Sequence, residues 1–149
     1  MVRLDIMKIL ILEGPNLNMV GVRETDIYGG LSSVDEKTSI DKWANSKGIS
    51  LTFKNISEEG SIVDCINDSS GNFEALVINP GALSHSSFSI RDALKGLTIP
   101  VVEVHLSAVH SRDESWRKQL ITADAGQPVI SGFGFEGYKM AIRSLANFS

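Results

Sequence analysis

Five short apolar runs, separated by stretches with helical spacing, set the pattern of this chain. Lys8-Ile9-Leu10-Ile11-Leu12 is continuously apolar after its lysine, as in a strand covered on both faces. Leu51-Thr52-Phe53 alternates, and Ala75-Leu76-Val77-Ile78, Pro100 to His105 and Val129-Ile130 read as three further strands. Between them the period changes. Ser33-Val34-Asp35-Glu36 has the form of a capping box, and Val34, Lys37, Ile40, Trp43 and Ala44 keep helical spacing until Gly48 stops the helix. A second helix runs from about Glu58, with Ile62, Val63 and Ile66 inward. A third spans Ser87 to Lys95, a short one Asp113 to Gln119, and a last one Tyr138 to Ala146 with Tyr138, Ala141, Ile142 and Leu145 on one side.

Strand and helix alternate throughout, which predicts an α/β fold with a parallel sheet between two helical layers. For five strands the simplest right-handed, doubly wound solution is the flavodoxin-like three-layer sandwich of order 2-1-3-4-5. The pattern predicts one domain over residues 1–149, with 1–7 as an N-terminal extension. In that order strands 1 and 3 are neighbours whose connections leave in opposite directions. The crevice at their carboxyl ends is the expected ligand site.

Composition narrows the function classes. The 149 residues are 42% hydrophobic and 21% charged, enough to build a core. A net charge of −4 and a pI near 5.3 argue against a general nucleic-acid surface, but allow a small anionic ligand met by local cations. No apolar run reaches the roughly 18–20 residues that cross a membrane, and Asp5 interrupts the apolar N-terminus, an unpromising signal peptide. A single cysteine, Cys65, excludes an intrachain disulfide and a cysteine-cluster metal site. The expectation is a cytoplasmic protein that binds a small molecule, with no nucleic-acid partner.

The unusual residues gather at three strand ends: Gly14-Pro15-Asn16-Leu17-Asn18, Asn79-Pro80-Gly81-Ala82 and Glu103-Val104-His105-Leu106-Ser107. The predicted order makes these strands adjacent, so their tips converge. Glu103 and His105 share a strand face, and a carboxylate beside an imidazole suits it to acid–base work. By itself such a pair is more often structural; its place among other polar tips favours function. Arg23 and Tyr28 lie in the long Gly-containing loop from Leu17 to Gly30, and a cation near a phenol favours the phenolate. By itself such a pair is more often a surface arginine and a packing tyrosine; the length of the loop is the one local reason to read it otherwise. His85 with Ser84, Ser86 and Ser87 opens the third helix, offering donors to an oxygen-rich ligand or simply capping it. His110 reads as a surface residue, and three histidines without a ligand-spaced array make a metal site weak. Gly132 to Gly137 matches G-x-G-x-x-G, but at the last strand–helix turn it reads as a turn with close packing. Trp43 and Trp116 read as packing residues.

These motifs together resemble the type II 3-dehydroquinate dehydratases. The likeness runs through Gly14 to Asn18, Gly21-Val22-Arg23-Glu24, Tyr28-Gly29, Ile78 to Ala82, Ser84 to Ser87 and Arg91-Asp92-Ala93. It continues in Val102 to Ser107, His110-Ser111-Arg112, Ile130 to Gly134 and Gly137-Tyr138. The resemblance implies cofactor-free, metal-free anti elimination of water from 3-dehydroquinate to 3-dehydroshikimate through an enolate, within shikimate formation or quinate breakdown. It makes Tyr28 the base and Arg23 the cation that holds it as phenolate. Asn16 orients a water at the enolate oxygen. His105 is the acid, oriented by Glu103. Leu106 and Ser107 bind the substrate carboxylate, Asn79 and His85 its hydroxyls, and Arg112, Arg117 or both reach the ligand. It also implies trimers gathered into a homododecamer, with Asp92 reaching a neighbouring subunit's site.

The chain departs from the resembled pattern in places. Glu13 and Ala108 stand where Asn is usual, and Thr25 where Pro is usual. The segment from Asp113 carries one extra residue before Trp116-Arg117, and Lys118-Gln119-Leu120 replaces a His/Ser-rich stretch. Two other readings stay open at this point. One is a catalytically reduced paralogue that binds a related polyol acid; the other is a generic flavodoxin-like binding module, disfavoured by the lack of an acidic pair after strand 1.

Overall fold

A computed structural model of the chain describes residues 5–19 and 32–147. Its strands are β1 (Met7–Glu13), β2 (Ile49–Asn55), β3 (Ala75–Asn79), β4 (Val101–His105) and β5 (Val129–Ser131). Its α-helices are α1 (Ser33–Ser46), α2 (Glu59–Ser69), α3 (Phe88–Lys95) and α4 (Glu136–Ala146). All strand pairs are parallel and the sheet order is β2-β1-β3-β4-β5, as the alternation predicts.

The strand period sorts the core into two layers. Ile9, Ile11, Val77, Val102 and Val104 face α1 and α4, where Ile40, Ala44, Tyr138, Ala141, Ile142 and Leu145 close the layer. Leu10, Leu12, Leu76 and Ile78 face Ile62 and Ile66 of α2 and Ile90 and Leu94 of α3. Central β1 and β3 are therefore apolar on both faces, whereas edge strand β2 leaves Thr52 and Lys54 exposed. Each fully buried Ile or Leu contributes about 1.5–3 kcal/mol from area removed from water.

Several local expectations shift. The cap of α1 is Ser32, not Ser33: its backbone is extended and its hydroxyl accepts from the Asp35 N–H at 3.1 Å. Ser33 is instead the first helical residue and is buried, so its side chain is unavailable for the capping role. The third helix keeps its expected span, but the serines and histidine before it do not belong to it. Gly81–His85 is a separate 3-10 turn, and α3 begins after Ser87, whose hydroxyl accepts from Ile90 N–H and donates to Glu59. The short helix expected over 113–119 is a 3-10 turn, Ser115–Lys118.

The loops at the carboxyl ends of β1 and β3 press backbone to backbone. The Gly14 amide donates to the Asn79 carbonyl at 2.8 Å. A Cβ on Gly14 would sit 2.3 Å from the Pro80 carbonyl oxygen, so only glycine fits there. In the Gly132–Gly137 run, Gly137 brings α4 onto β4, where an added Cβ would lie 3.1 Å from Val104. That run serves as the turn and close contact that its position suggests.

Candidate active site

Glu103 and His105, two residues apart on β4, point to the face covered by α3 and the 3-10 turn Thr122–Ala125. His105 Nε2 lies 2.9 Å from Glu103 Oε2, and both side chains are buried. Because a carboxylate accepts, the imidazole carries its proton at Nε2, and Nδ1 is the ring atom turned away from the carboxylate. Glu103 Oε1 accepts from the Thr122 hydroxyl at 2.5 Å and from Gln127 Nε2 at 3.3 Å.

A second cluster surrounds His85. Its Nδ1 donates to the Gln119 carbonyl at 2.6 Å, so Nε2 is the acceptor for Arg112 Nη1 at 3.0 Å. Burial pushes the His85 imidazole below its ordinary pKa. The nearby charges of Arg112, His105 and Arg117 push the same way, against the hydrogen bond to Gln119. Arg112 also donates to the Ser107 hydroxyl at 3.0 Å and to the Arg117 carbonyl at 3.2 Å. Of the two arginines, Arg112 enters this cluster by its side chain. Arg117 turns its guanidinium toward Glu114 at 3.3 Å and is 40% exposed. Trp116 does not pack in the core as expected: it is 57% exposed and stands edge-on to the His85 ring at 5.5 Å.

The remaining positions fall around these two. Asn79, at the end of β3, is buried; its Oδ1 accepts from Gly81 N–H and its Nδ2 donates to the Tyr138 hydroxyl at 3.3 Å. Tyr138 in turn donates to Glu13 Oε2 at 2.7 Å, and the Lys37 ammonium lies against Glu13 Oε1. Asn16 is exposed just past β1 and adopts a left-handed φ of 68°, which asparagine tolerates better than most residues. Leu106 is buried and Ser107 half-buried directly after His105. Asp92 is exposed on α3 and paired with Arg91 at 2.9 Å, apart from the other clusters. His110 is exposed, while Trp43 packs against the core beneath Lys139 and Arg143. Arg23 and Tyr28 lie outside the described residues.

Thr122, Gln127 and Lys37 are polar contributors that the sequence did not mark. Thr122 and Gln127 sit in an irregular stretch with no motif, and Lys37 occupies an ordinary helical position. Among the described residues, no group of three or more His, Cys, Asp or Glu is placed to hold a metal ion. No helix there is long and apolar enough to cross a membrane.

Fold and site together define a doubly wound α/β protein with a buried carboxylate–imidazole pair at the carboxyl ends of its strands. The sequence pattern of the family described as Dehydroquinase class II matches residues 7–146, and the chain belongs to that family. It is 45% identical over 139 residues to a 3-dehydroquinate dehydratase of Clostridium botulinum, covering 93% of this chain and 94% of the relative. A Bacillus cytotoxicus 3-dehydroquinate dehydratase is 41% identical over 138 residues, with the same coverage. Among solved structures, the type II dehydroquinase of Butyrivibrio crossotus superposes with a TM-score of 0.89 at 40% identity, covering 94% of this chain and 97% of that one. That of Propionibacterium acnes gives 0.87 at 32% identity, covering 94% and 96%.

Proposed function

We propose that this chain is a type II 3-dehydroquinate dehydratase, a hydro-lyase. Family membership supports the reaction class, and the observation that carries the reading is the buried His105–Glu103 pair beside the β1 and β3 tips. Loss of water from a β-hydroxy ketone needs a base at the carbon beside the ketone, a stabilised enolate oxygen and an acid for the leaving hydroxyl. In this reading Tyr28 takes the proton as phenolate, held so by Arg23. Asn16 positions a water at the enolate oxygen. His105 then protonates the departing hydroxyl from Nδ1 while Glu103 steadies the imidazolium. One proton passes to the base and one leaves in water, giving the conjugated enone 3-dehydroshikimate. Leu106 and Ser107 take the substrate carboxylate; Asn79, His85, Arg112 and Arg117 address its far side. None of these steps calls for a metal or an organic cofactor.

We read residues 1–149 as one catalytic domain in a cytoplasmic enzyme; Met7, expected within an N-terminal extension, is instead the first residue of β1, paired with Ile49. We also propose a dodecamer of trimers in which Asp92 reaches a neighbour's site. Its 67% exposure on α3 leaves the carboxylate able to project beyond its own subunit. A particle far heavier than 16.2 kDa and weaker substrate binding in Asp92→Ala are expected; a fully active monomer opposes this assembly.

The direct test mixes the purified protein with 3-dehydroquinate and follows the ultraviolet absorbance of the enone product. Binding without turnover would instead favour a catalytically reduced paralogue. Tyr28→Phe is expected to reduce kcat by about 10²-fold or more, since the acceptor of the proton is lost. Retention of most of kcat would remove Tyr28 from the base role.

A further inference from the structure

We propose that Thr122 and Gln127 are positioning residues of the acid step, holding Glu103 so that it presents His105 as a proton donor. The proposal rests on the dehydratase reading above and extends it to residues outside the strand-end motifs.

Every contact to Glu103 is a donor. His105 Nε2 meets one carboxylate oxygen, while the Thr122 hydroxyl and the Gln127 amide meet the other. An anionic carboxylate, which only accepts, is fully served by that set. The Gln127 amide is itself fixed, because Nε2 also donates to the Thr122 carbonyl at 3.0 Å. Thr122 has no solvent exposure and opens a 3-10 turn packed on α3, so its hydroxyl has little freedom to move. The carboxylate is thereby gripped on the side away from the imidazole. Its other oxygen then holds Nε2–H in line and leaves Nδ1 for the substrate. Removal of the grip lets the carboxylate rotate and the ring follow, and a small misplacement of a proton donor is costly to the reaction.

A stabilising role alone would lower the amount of folded protein without changing how the enolate partitions. A positioning role alters partitioning. When the acid is misaligned, the enolate formed by the base returns to substrate more often than it loses hydroxide. In D2O the recovered 3-dehydroquinate then gains deuterium beside the ketone relative to product formed.

The experiment compares Thr122→Val, Thr122→Ser and Gln127→Leu with the unaltered enzyme, by enone absorbance and by mass spectrometry of recovered substrate. Thr122→Val is expected to lower kcat about 10- to 100-fold, the scale of a lost hydrogen bond to a charged group. KM stays within about twofold because substrate contacts remain. The exchange-to-dehydration ratio rises, and Thr122→Ser restores both. Gln127→Leu, removing the longer bond, changes both in the same sense but less, and carries the test if Thr122→Val does not fold. Unchanged kcat, or a fall with an unchanged ratio, overturns the proposal. Failure of the unaltered protein to process 3-dehydroquinate would refute the dehydratase reading instead. In that event the His105 Nε2–H resonance decides the positioning claim: it moves in Thr122→Val and returns in Thr122→Ser, or the claim falls.

Discussion

Among the described residues two carboxylates are buried, Glu13 and Glu103, near the carboxyl ends of strands and on opposite faces of the sheet. Glu13 faces α1 and α4 and meets the Lys37 ammonium and the Tyr138 hydroxyl. Glu103 faces α3 and the 122–125 turn and meets an imidazole, a hydroxyl and an amide. Burial is costly for either charge unless it is paired. The two answers differ in what the partner can do. A lysine offers a compact cation on a flexible stem, so the Glu13 site ties α1 and α4 to the sheet. A histidine offers a ring with two nitrogens, one held by the carboxylate and the other turned elsewhere, which suits the Glu103 site to the acid step proposed above. Equal burial thus accompanies one ion pair that anchors two helices and one pair to which we assign the acid step, and the neighbour's chemistry makes the distinction.

The widest separation between the two sites is expected from His105→Ala. It should cut kcat by about 10²- to 10⁴-fold with the fold intact, measured by steady-state turnover and circular dichroism. A comparable turnover loss from Lys37→Met, per folded molecule, would erase the contrast. Lys37→Met should act on stability instead. Breaking a buried pair from one side costs about 3 kcal/mol, read from denaturant unfolding, and adding Glu13→Gln should recover much of it, since the amide oxygen still accepts from Tyr138. Glu103→Gln should lower kcat by about tenfold or somewhat more, less than His105→Ala, because the amide can still orient the ring while losing the charge that supports imidazolium. Equal, small effects from Glu103→Gln and His105→Ala would make this second pair structural as well.

The smallest effect belongs to His85, which is hydrogen-bonded to Arg112. Its folded pKa lies below its ordinary value, so just below about 6.5 the unfolded chain binds more protons than the folded one. Its contribution to stability is therefore complete above that pH and declines as pH falls beneath it. Protonated Nε2 no longer accepts from Arg112. The slope of the melting temperature between about pH 6.5 and 5 should be slightly shallower in His85→Gln; an identical slope would show that His85 does not contribute.

Much of this was legible along the chain. The continuous apolar runs of β1 and β3 announce strands covered on both sides, and alternation with helices leaves few topologies. The Glu103–His105 spacing places both groups on one face, where they meet. Other features escaped for definite reasons. Ser32 and Ser33 are both competent caps, and the inward turn of Ser33 decides between them. Trp116 looks like core by composition, yet its short turn leaves it at the surface against His85. Thr122 and Gln127 carry no motif because a hydroxyl and an amide are common in irregular segments.

By itself the sequence determined the strand–helix order, the two-sided burial of the central strands and the face shared by Glu103 and His105, because each follows from periods of 2 and 3.6 residues acting locally. Only the tertiary structure decided the partners: Lys37 and Tyr138 for Glu13, Thr122 and Gln127 for Glu103, Arg112 rather than Arg117 beside His85. Glu13 and Tyr138 stand 125 positions apart, and Thr122 lies 19 from Glu103. No local period reaches across such separations. What brings these groups together is the packing of helices and turns onto a sheet, where each buried charge requires a donor within hydrogen-bond reach.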